Sequence, residues 1–434
     1  MENEKIRFHL DVGAMIRPES GFYEKDHPEY MADFRFYRVE SGDRLFCTPC
    51  EYEYLLAFYT EELEECLIYT YCYQEEENWA KYAGCLDGEE WKDKDWISLE
   101  CGWIRITVRR KDSAVLTEED RNKACNIFRL ESQKNVYKKK DCYTEEIKKT
   151  VDSIWKCKKE SSLIFALLTD SHYVINGGWE DSISNLRAVH ESVGFNALIH
   201  LGDLTDGLTP LEVTREYAGK VLDDLHSLEI PVYLAIGNHD SNYFHGNPEW
   251  MTQKEQSLFY LQREEPWYFI DFEKQKLRCL FLYSFDHKEE IRYGFPEAEV
   301  EWVEKTLEET SIDYDVMVFS HVPLLPEMHY WSDRIRNSSQ LKQKLDDYVQ
   351  KGGRILGYVH GHNHADQIVY TDFFPIISIG CSKCEDFKDK KPAEAVTYDR
   401  KMGTVTQELW DTLIVNKGKI SFIRFGAGED RVIG

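Results

Sequence analysis

Side chains able to ligate metal ions recur at five places in this chain. Asp170 and His172 stand in "LLTDSH", and Asp203 and Asp206 in "HLGDLTD". Asn238, His239 and Asp240 stand in "AIGNHD", His321 in "VFSH", and His360, His362 and His364 in "YVHGHNH". These are oxygen and nitrogen donors without thiolate, a mixture that suits Mn, Fe or Zn rather than a Cys-type structural zinc. Six or seven ligands are too many for one tetrahedral ion but suit two ions sharing a carboxylate. Residues two apart share one face of an extended segment, so Asp170 pairs with His172, and His362 with His364. Gly202, Gly237 and Gly361 precede the key residue in three clusters, where glycine allows a sharp turn and close approach of backbone to a ligand. A lone Asp or His after a strand is usually a cap or turn residue. Five such clusters, each with ligand chemistry, are not independent accidents.

Each cluster ends an apolar run: "SSLIFALLTD", "FNALIHLGD", "PVYLAIGNHD", "DVMVFSH" and "RILGYVHGH". A sixth run, "LRCLFLYSF", leads only into the surface-like "DHKEE". Near-continuous apolar runs mark strands buried on both faces. Helix-like segments lie between several of them: "WEDSISNLRAVHESVG", "PLEVTREYAGKVLDDLHSL", "PEAEVEWVEKTLEET" and "SSQLKQKLDDYVQK". Two begin with Pro and one with Ser-Ser, favourable helix starts. Strand and helix alternate, so this part reads as α/β, with helices covering a parallel sheet. Sites in such sheets form outside the C-terminal strand ends, where the five clusters converge. The closing "WDTLIVNKGKISFIRFG" reads as a hairpin turning at Asn416-Lys417-Gly418.

Residues 1–140 follow another pattern. "KIRFHLDV", "DFRFYRV", "YEYLLAFYT", "CLIYTYCY" and "WIRITVRR" are short, aromatic or β-branched, and separated by turn-like "ESGD" and "DGEE". Without a convincing amphipathic helix among them, they predict an all-β antiparallel sandwich. A polar linker near residues 132–145 leads into a helix, and two domains, 1–140 and 141–434, suit a chain of 434 residues.

The composition is globular: 42% apolar, 30% charged. A net charge of −26 repels nucleic acid and anionic lipid at long range. It does not exclude an anionic substrate at a site with its own cations. No apolar h-region or membrane-length run is visible, so a cytoplasmic protein without a membrane partner is expected. Its 12 cysteines are then most simply reduced thiols. The pairs Cys47/Cys50 and Cys381/Cys384 have Cys-x-x-Cys spacing but lie too far apart in the chain to read as one zinc motif.

"DSH", "GDLTD", "GNHD", a lone "SH" and "GHNH", in this order and each after an apolar strand, resemble the calcineurin-like metallophosphoesterase superfamily. The resemblance covers roughly residues 160–425 and says nothing of residues 1–140. It implies a mixed α/β (α+β) fold in which a β-sandwich is flanked by helices, a four-layer αββα arrangement. It also implies a dinuclear metal centre of two divalent ions. Asp170, His172 and His364 would hold the first ion, Asn238, His321 and His362 the second, and Asp203 would bridge. His239 would be the catalytic acid, charged when paired with Asp206, which would orient it by a hydrogen bond. The implied activity is phosphoric ester hydrolysis, as phosphatase or phosphodiesterase, by attack of a metal-bridging hydroxide. The substrate class is a phosphorylated small molecule or nucleotide; monoester, diester and pyrophosphate linkages all occur among members.

Around these residues, His360 reads as a supporting rather than ligating histidine. Asp240 and Tyr173 adjoin the motifs. The loop after His321 carries His329, Tyr330, Trp331, Arg334 and Arg336, and an arginine such as Arg334 could grip phosphate there. The alternative reading is a non-catalytic binding or scaffold protein on the same fold. In that reading the first sandwich would be a carbohydrate- or protein-binding module.

Overall fold

The computed structural model describes residues 4–17, 23–47, 50–59, 91–132, 139–173, 177–243, 247–385 and 394–433. The chain divides into two compact units, Met1–Lys138 and Lys139–Gly434.

In the first unit every described strand pair is antiparallel. Gly102–Arg110 is the axis of one sheet, with Tyr52–Tyr59 along one side and Tyr30–Ala32 and Tyr37–Val39 along the other. A second sheet contains Glu4–Arg7, Phe128–Ser132, Arg44–Cys47 and Trp96–Ile97. Ile104, Ile106 and Val108 alternate into a core with Phe8, Tyr54, Leu56, Phe128 and Leu130. Between them Arg105 is also buried; it donates to the Phe34 carbonyl at 2.7 Å and lies against the Phe36 ring. The strand-rich expectation stands with one correction: Glu118–Ile127 is a helix. Its start is a capping box, in which Thr117 and Asp120 each accept the other's backbone N–H. It shows no apolar stripe, for of its residues only Asp120 and Ala124 are buried, so periodicity could not reveal it. The run "CLIYTYCY" lies outside the described residues.

The second unit contains two six-stranded sheets. Strands β1 (Leu163–Leu168), β2 (Ala197–His200) and β3 (Val232–Leu234) are parallel neighbours. A second sheet holds β4 (Tyr268–Phe272), β5 (Leu277–Phe281), β6 (Asp315–Ser320), β7 (Arg354–His360), β8 (Gln367–Tyr370) and β9 (Pro375–Ser378). Its order is β4-β5-β6-β7-β9-β8, parallel from β5 through β9. The six apolar runs are thus shared between two sheets, not gathered in one. The hairpin β10 (Leu409–Asn416) and β11 (Lys419–Gly426) joins the first sheet, β10 running antiparallel to β1, and β12 (Arg431–Ile433) closes the edge. Gly418, at φ +75°, supplies the left-handed residue of that turn.

The two sheets pack face to face. Phe165, Leu167, Ile199, Leu413 and Phe422 of the first meet Phe281, Met317, Phe319, Val359 and Ile377 of the second. Val316 and Val318, the alternate residues of β6, face the other way, onto α4 (Glu297–Glu308) and α5 (Ser338–Gln350) through Val303, Leu307, Leu341 and Leu345. Both faces of β6 are therefore apolar, which is why its sequence is a continuous run. On the first sheet's outer side α1 (Thr144–Cys157) lies against β10 and β11, with α2 (Gly177–Val193) beside it. Helix α3 (Leu211–His226) buries Val213, Tyr217, Val221 and Leu225, one every four residues. The layering is helix, sheet, sheet, helix, as the resemblance implied.

A buried charge cluster ties the hairpin to the loop after β7. Arg424 of β11 has a fully buried side chain; it donates to Asp411 Oδ1 at 2.9 Å and Asp366 Oδ2 at 2.8 Å. Arg431 adds a contact of 3.0 Å to Asp366 Oδ1. Removing one partner of such a cluster strands the others in low dielectric. Arg424→Met is expected to lower the unfolding free energy by about 3–5 kcal/mol. Denaturant titration measures this; a loss within the ~1 kcal/mol of an exposed ion pair would refute the role.

Candidate metal centre

The five motifs lie at strand ends on one side of the sandwich, but not on extended chain. Asp170 and His172 have φ of 52° and 43°, Asp203 55°, and His362 and His364 67° and 53°. All five lie in the left-handed region, which costs an L-residue roughly 1–2 kcal/mol and is easiest for Asp, Asn and His. The expectation that residues two apart share a face of an extended segment is therefore corrected. Tight left-handed turns aim these side chains, and hydrogen bonds between the turns hold them. Asp170 N–H donates to the Gly202 carbonyl at 2.9 Å, and His172 N–H to the Asp203 carbonyl at 3.0 Å. His362 N–H donates to Asp170 Oδ2 at 2.9 Å.

Two groups of donors result. In the first, His364 Nε2 lies 3.1 Å from His172 Nε2 and 3.2 Å from Asp170 Oδ1. In the second, His321 Nε2 lies 3.0 Å from Asp203 Oδ2, 3.1 Å from Asn238 Oδ1 and 3.2 Å from His362 Nδ1. Asp203 Oδ2 is also 3.7 Å from His172 Nε2, so this oxygen stands between the groups. His362 and His364 fall in different groups.

This donor set fits cations. Imidazole nitrogens aimed at each other from about 3 Å repel as lone pairs unless positive charge lies between them. Asp170 Oδ1 is buried without a hydrogen-bond partner. The carboxylates already favour positive charge here. Burial pulls His172 down, but the neighbouring carboxylates of Asp170 and Asp206 outweigh it and raise its pKa to about 10. His321 is raised to about 9, the charges of Asp203 and Asp170 overcoming its burial. Burial likewise opposes ionisation of Asp203, yet the neighbouring histidines hold its pKa at about 2.

Of the three predicted glycines only Gly202, at φ +95°, is required by its backbone; Gly237 and Gly361 are required by contact. A Cβ on Gly237 would collide with the carboxylate and backbone N of Asp203, and one on Gly361 with Thr169 and the Asp170 carboxylate. Asp240 binds the "GD" and "GN" loops together, accepting from the backbone N–H groups of Gly237, Leu204 and Asp203 at 2.8, 2.8 and 2.9 Å. It serves the backbone, and burial together with the Asp203 charge raises its pKa to about 7.

Asp206 meets His239 through its backbone carbonyl and not as a charged side-chain pair. The Asp206 carboxylate takes the Nδ1–H of His172 at 2.8 Å; only its backbone carbonyl meets His239 Nδ1, at 2.5 Å. Nor is His239 favoured in its charged form, because burial lowers its pKa. Its side chain is 13% exposed, against 0–9% for His172, His321 and His364, and Nε2 sits 3.9 Å from Asp203 Oδ2. His239 is therefore the most exposed of these imidazoles.

His360 is fully buried, its Nδ1–H donating to the Gly361 carbonyl at 2.9 Å. Tyr173 packs edge-on against Tyr217, with Lys220 over its ring. The Tyr330 hydroxyl is buried without a hydrogen-bond partner, within electrostatic reach of His364. Arg334 is corrected to a surface residue: its side chain is 60% exposed and lies 4.0 Å from Glu290. Arg336 faces Glu289 at 3.6 Å.

Other neighbours carried no readable motif. His329 and Tyr293 bring their rings to 4.7 and 5.0 Å from His362. His200 accepts from Gly202 N–H and donates to Ser171 Oγ at 2.7 Å. Lys383 places its ammonium 3.7 Å from Asp206, and Glu385 its carboxylate 2.9 Å from His364 Nδ1. Of this last segment only the Cys-x-x-Cys spacing stood out, and its Cys381 lies beside His364 together with Glu385.

Residues 163–366 match the calcineurin-like phosphoesterase family, so the resemblance carried by the five motifs is established for this part of the chain. No curated protein matches. Similar solved structures include a dimetal phosphatase from Danio rerio, at 14% identity, 62% of this chain, 98% of that one and a TM-score of 0.46. Purple acid phosphatase PPD1 from yellow lupin (Lupinus luteus) is 11% identical, over 92% of this chain and 73% of its own, with a TM-score of 0.44. GAP50, the anchor in the inner membrane complex of Plasmodium, is 15% identical, over 63% and 89%, at 0.44. The family match and the ligand clusters support metal-dependent phosphoester hydrolysis in general terms. Among the described residues no helix is long and apolar enough to cross a membrane.

Gly237→Ala and Gly361→Ala are expected to displace the Asp203 and Asp170 carboxylates and weaken metal binding by about tenfold or more. Gly219→Ala, in α3 with open space around it, is the control and leaves binding unchanged. Metal content after dialysis against a weak chelator checks this.

Proposed function

We propose that the second unit is a phosphoric ester hydrolase that works with two divalent ions, of Mn, Fe or Zn. One observation carries the reading: all seven predicted ligands converge as two groups that meet at Asp203 Oδ2. Asp170, His172 and His364 would hold the first ion, Asn238, His321 and His362 the second, and Asp203 both. When bound, the ions would neutralise phosphate oxygens and lower the pKa of a water molecule towards neutrality.

The chain's own groups prepare this chemistry. His172 gives its Nδ1–H to Asp206 and His321 gives its own to the Leu201 carbonyl at 2.7 Å, which leaves both Nε2 lone pairs directed inward. With Nδ1–H on the Asp206 carbonyl, His239 directs Nε2 towards the same space. A proton on that nitrogen would pass to the leaving alkoxide. Burial disfavours the imidazolium, and the negative charge of a bound phosphate favours it, so the acid forms when substrate is present.

The substrate is read as a phosphorylated small molecule or nucleotide, since a net charge of −26 disfavours nucleic acid. A cytoplasmic setting, where cysteines stay reduced, is part of the same proposal. The first unit is taken as an accessory domain. Tyr52, Tyr54, Tyr59, Phe8 and Phe128 are buried in it, so these aromatics serve its core and not a binding face.

Protein loaded with Mn²⁺, Fe²⁺ or Zn²⁺ is expected to hydrolyse an aryl phosphomonoester or phosphodiester. His239→Ala should lower kcat by about 10²–10⁴ while keeping its metals. Both substrates intact with every metal would overturn the proposal, and an unimpaired His239→Ala would overturn the assignment of the acid.

A further inference from the structure

The segment that follows β9 belongs to none of the five motifs, yet it is built into the metal centre. Ile379 N–H donates to the His360 carbonyl at 3.0 Å, Ser382 N–H to that of Thr169 at 2.8 Å, and Lys383 N–H to that of Asp170 at 3.2 Å. Gly380 N–H donates to Asp366 Oδ1 at 2.9 Å, which ties the segment to the buried cluster around Arg424. From the other side the Arg400 guanidinium holds the carbonyls of Cys381 at 3.1 Å and Ser382 at 3.3 Å. The buried Cys381 thiol donates to the Lys383 carbonyl at 3.2 Å and tightens the turn. Residues 379–383 are thus fixed against the turn that carries Asp170, and Glu385 lies two residues further on.

The consequence is a second carboxylate behind the first metal position. Glu385 Oε2 lies 2.9 Å from His364 Nδ1, while His364 Nε2 faces Asp170 and His172. Asp206 stands in the same relation to His172, at 2.8 Å from its Nδ1. The second position is built differently: His321 is backed by a neutral carbonyl, that of Leu201. A carboxylate behind an imidazole fixes its tautomer and makes the inward nitrogen more basic than a carbonyl does.

We propose that Glu385 is a positioning residue for the first metal position, holding His364 with its Nε2 lone pair inward, so that both histidines there are carboxylate-backed and this position binds its ion more tightly than the second. The proposal rests on the dinuclear reading given above.

The test is metal titration of the full chain with Mn²⁺ and with Co²⁺, following stoichiometry, the two affinities and the Co²⁺ visible spectrum. Wild type is expected to take up two ions in two resolved steps. Glu385→Ala should weaken the tighter step by roughly 10–100-fold, alter the Co²⁺ spectrum of that step and leave the weaker one unchanged. Glu385→Gln still offers an oxygen to Nδ1–H without the charge, and should recover part of the loss. Thermal unfolding of the metal-free variants should match wild type. Two wild-type affinities in Glu385→Ala would overturn the proposal. So would an equal loss at both steps, or a metal-free variant of lowered stability, since either marks a general structural role. Wild type binding no metal would overturn the dinuclear reading itself, and the proposal with it.

Discussion

Like charges and facing lone pairs must be held together in a buried space, and most of the second unit serves that requirement. Asp170, Asp203 and Asp206 are all buried, with the imidazoles of His172, His321 and His364 within 4 Å of one or another of them. Taken alone, such a group repels itself, and burial makes each ionised carboxylate more costly. It persists because the turns that carry it are over-determined. Left-handed backbone at Asp170, His172, Asp203, His362 and His364 stores strain, and hydrogen bonds from neighbouring loops hold it in place. The two packed sheets provide the rigid frame on which turns of that kind stay put.

Around this group the chain distributes its polar support by distance. Asp240 sits beneath the Asp203 loop and serves backbone N–H groups only. Asp206 and Glu385 stand behind two imidazoles, and the Leu201 carbonyl behind a third. The Arg424 cluster lies behind the segment that ends in Glu385. Each shell holds the next inner one, so the strain at the centre is carried by hydrogen bonds that extend to the hairpin.

A net charge of −26 and an anionic substrate class are not in conflict. Surface charge is screened within about 8–10 Å in physiological salt, whereas ions held in a dry cleft act at contact distance. Lys383, 3.7 Å from Asp206, shows that the chain also brings a cation of its own into this region.

The strand ends, the glycines and the ligand types were legible because each depends on short stretches of chain. An apolar run marks a strand buried on both faces, the residue after it marks its end, and glycine stands where a side chain would strike the carboxylate opposite. The two-residue spacing was legible but its meaning was not, since left-handed turns replaced the extended backbone it assumed. The helix Glu118–Ile127 escaped because it has a cap and no apolar stripe. Other features were decided by tertiary structure alone: the division of six runs between two sheets, the turning of Asp206 towards His172 instead of His239, the surface position of Arg334, and the arrival of Glu385 behind His364. The reason is physical. Which nitrogen a carboxylate meets depends on side-chain rotation and on the approach of segments far apart in the chain, 34 positions for Asp206 and 21 for Glu385. Residue type and spacing carry no record of either.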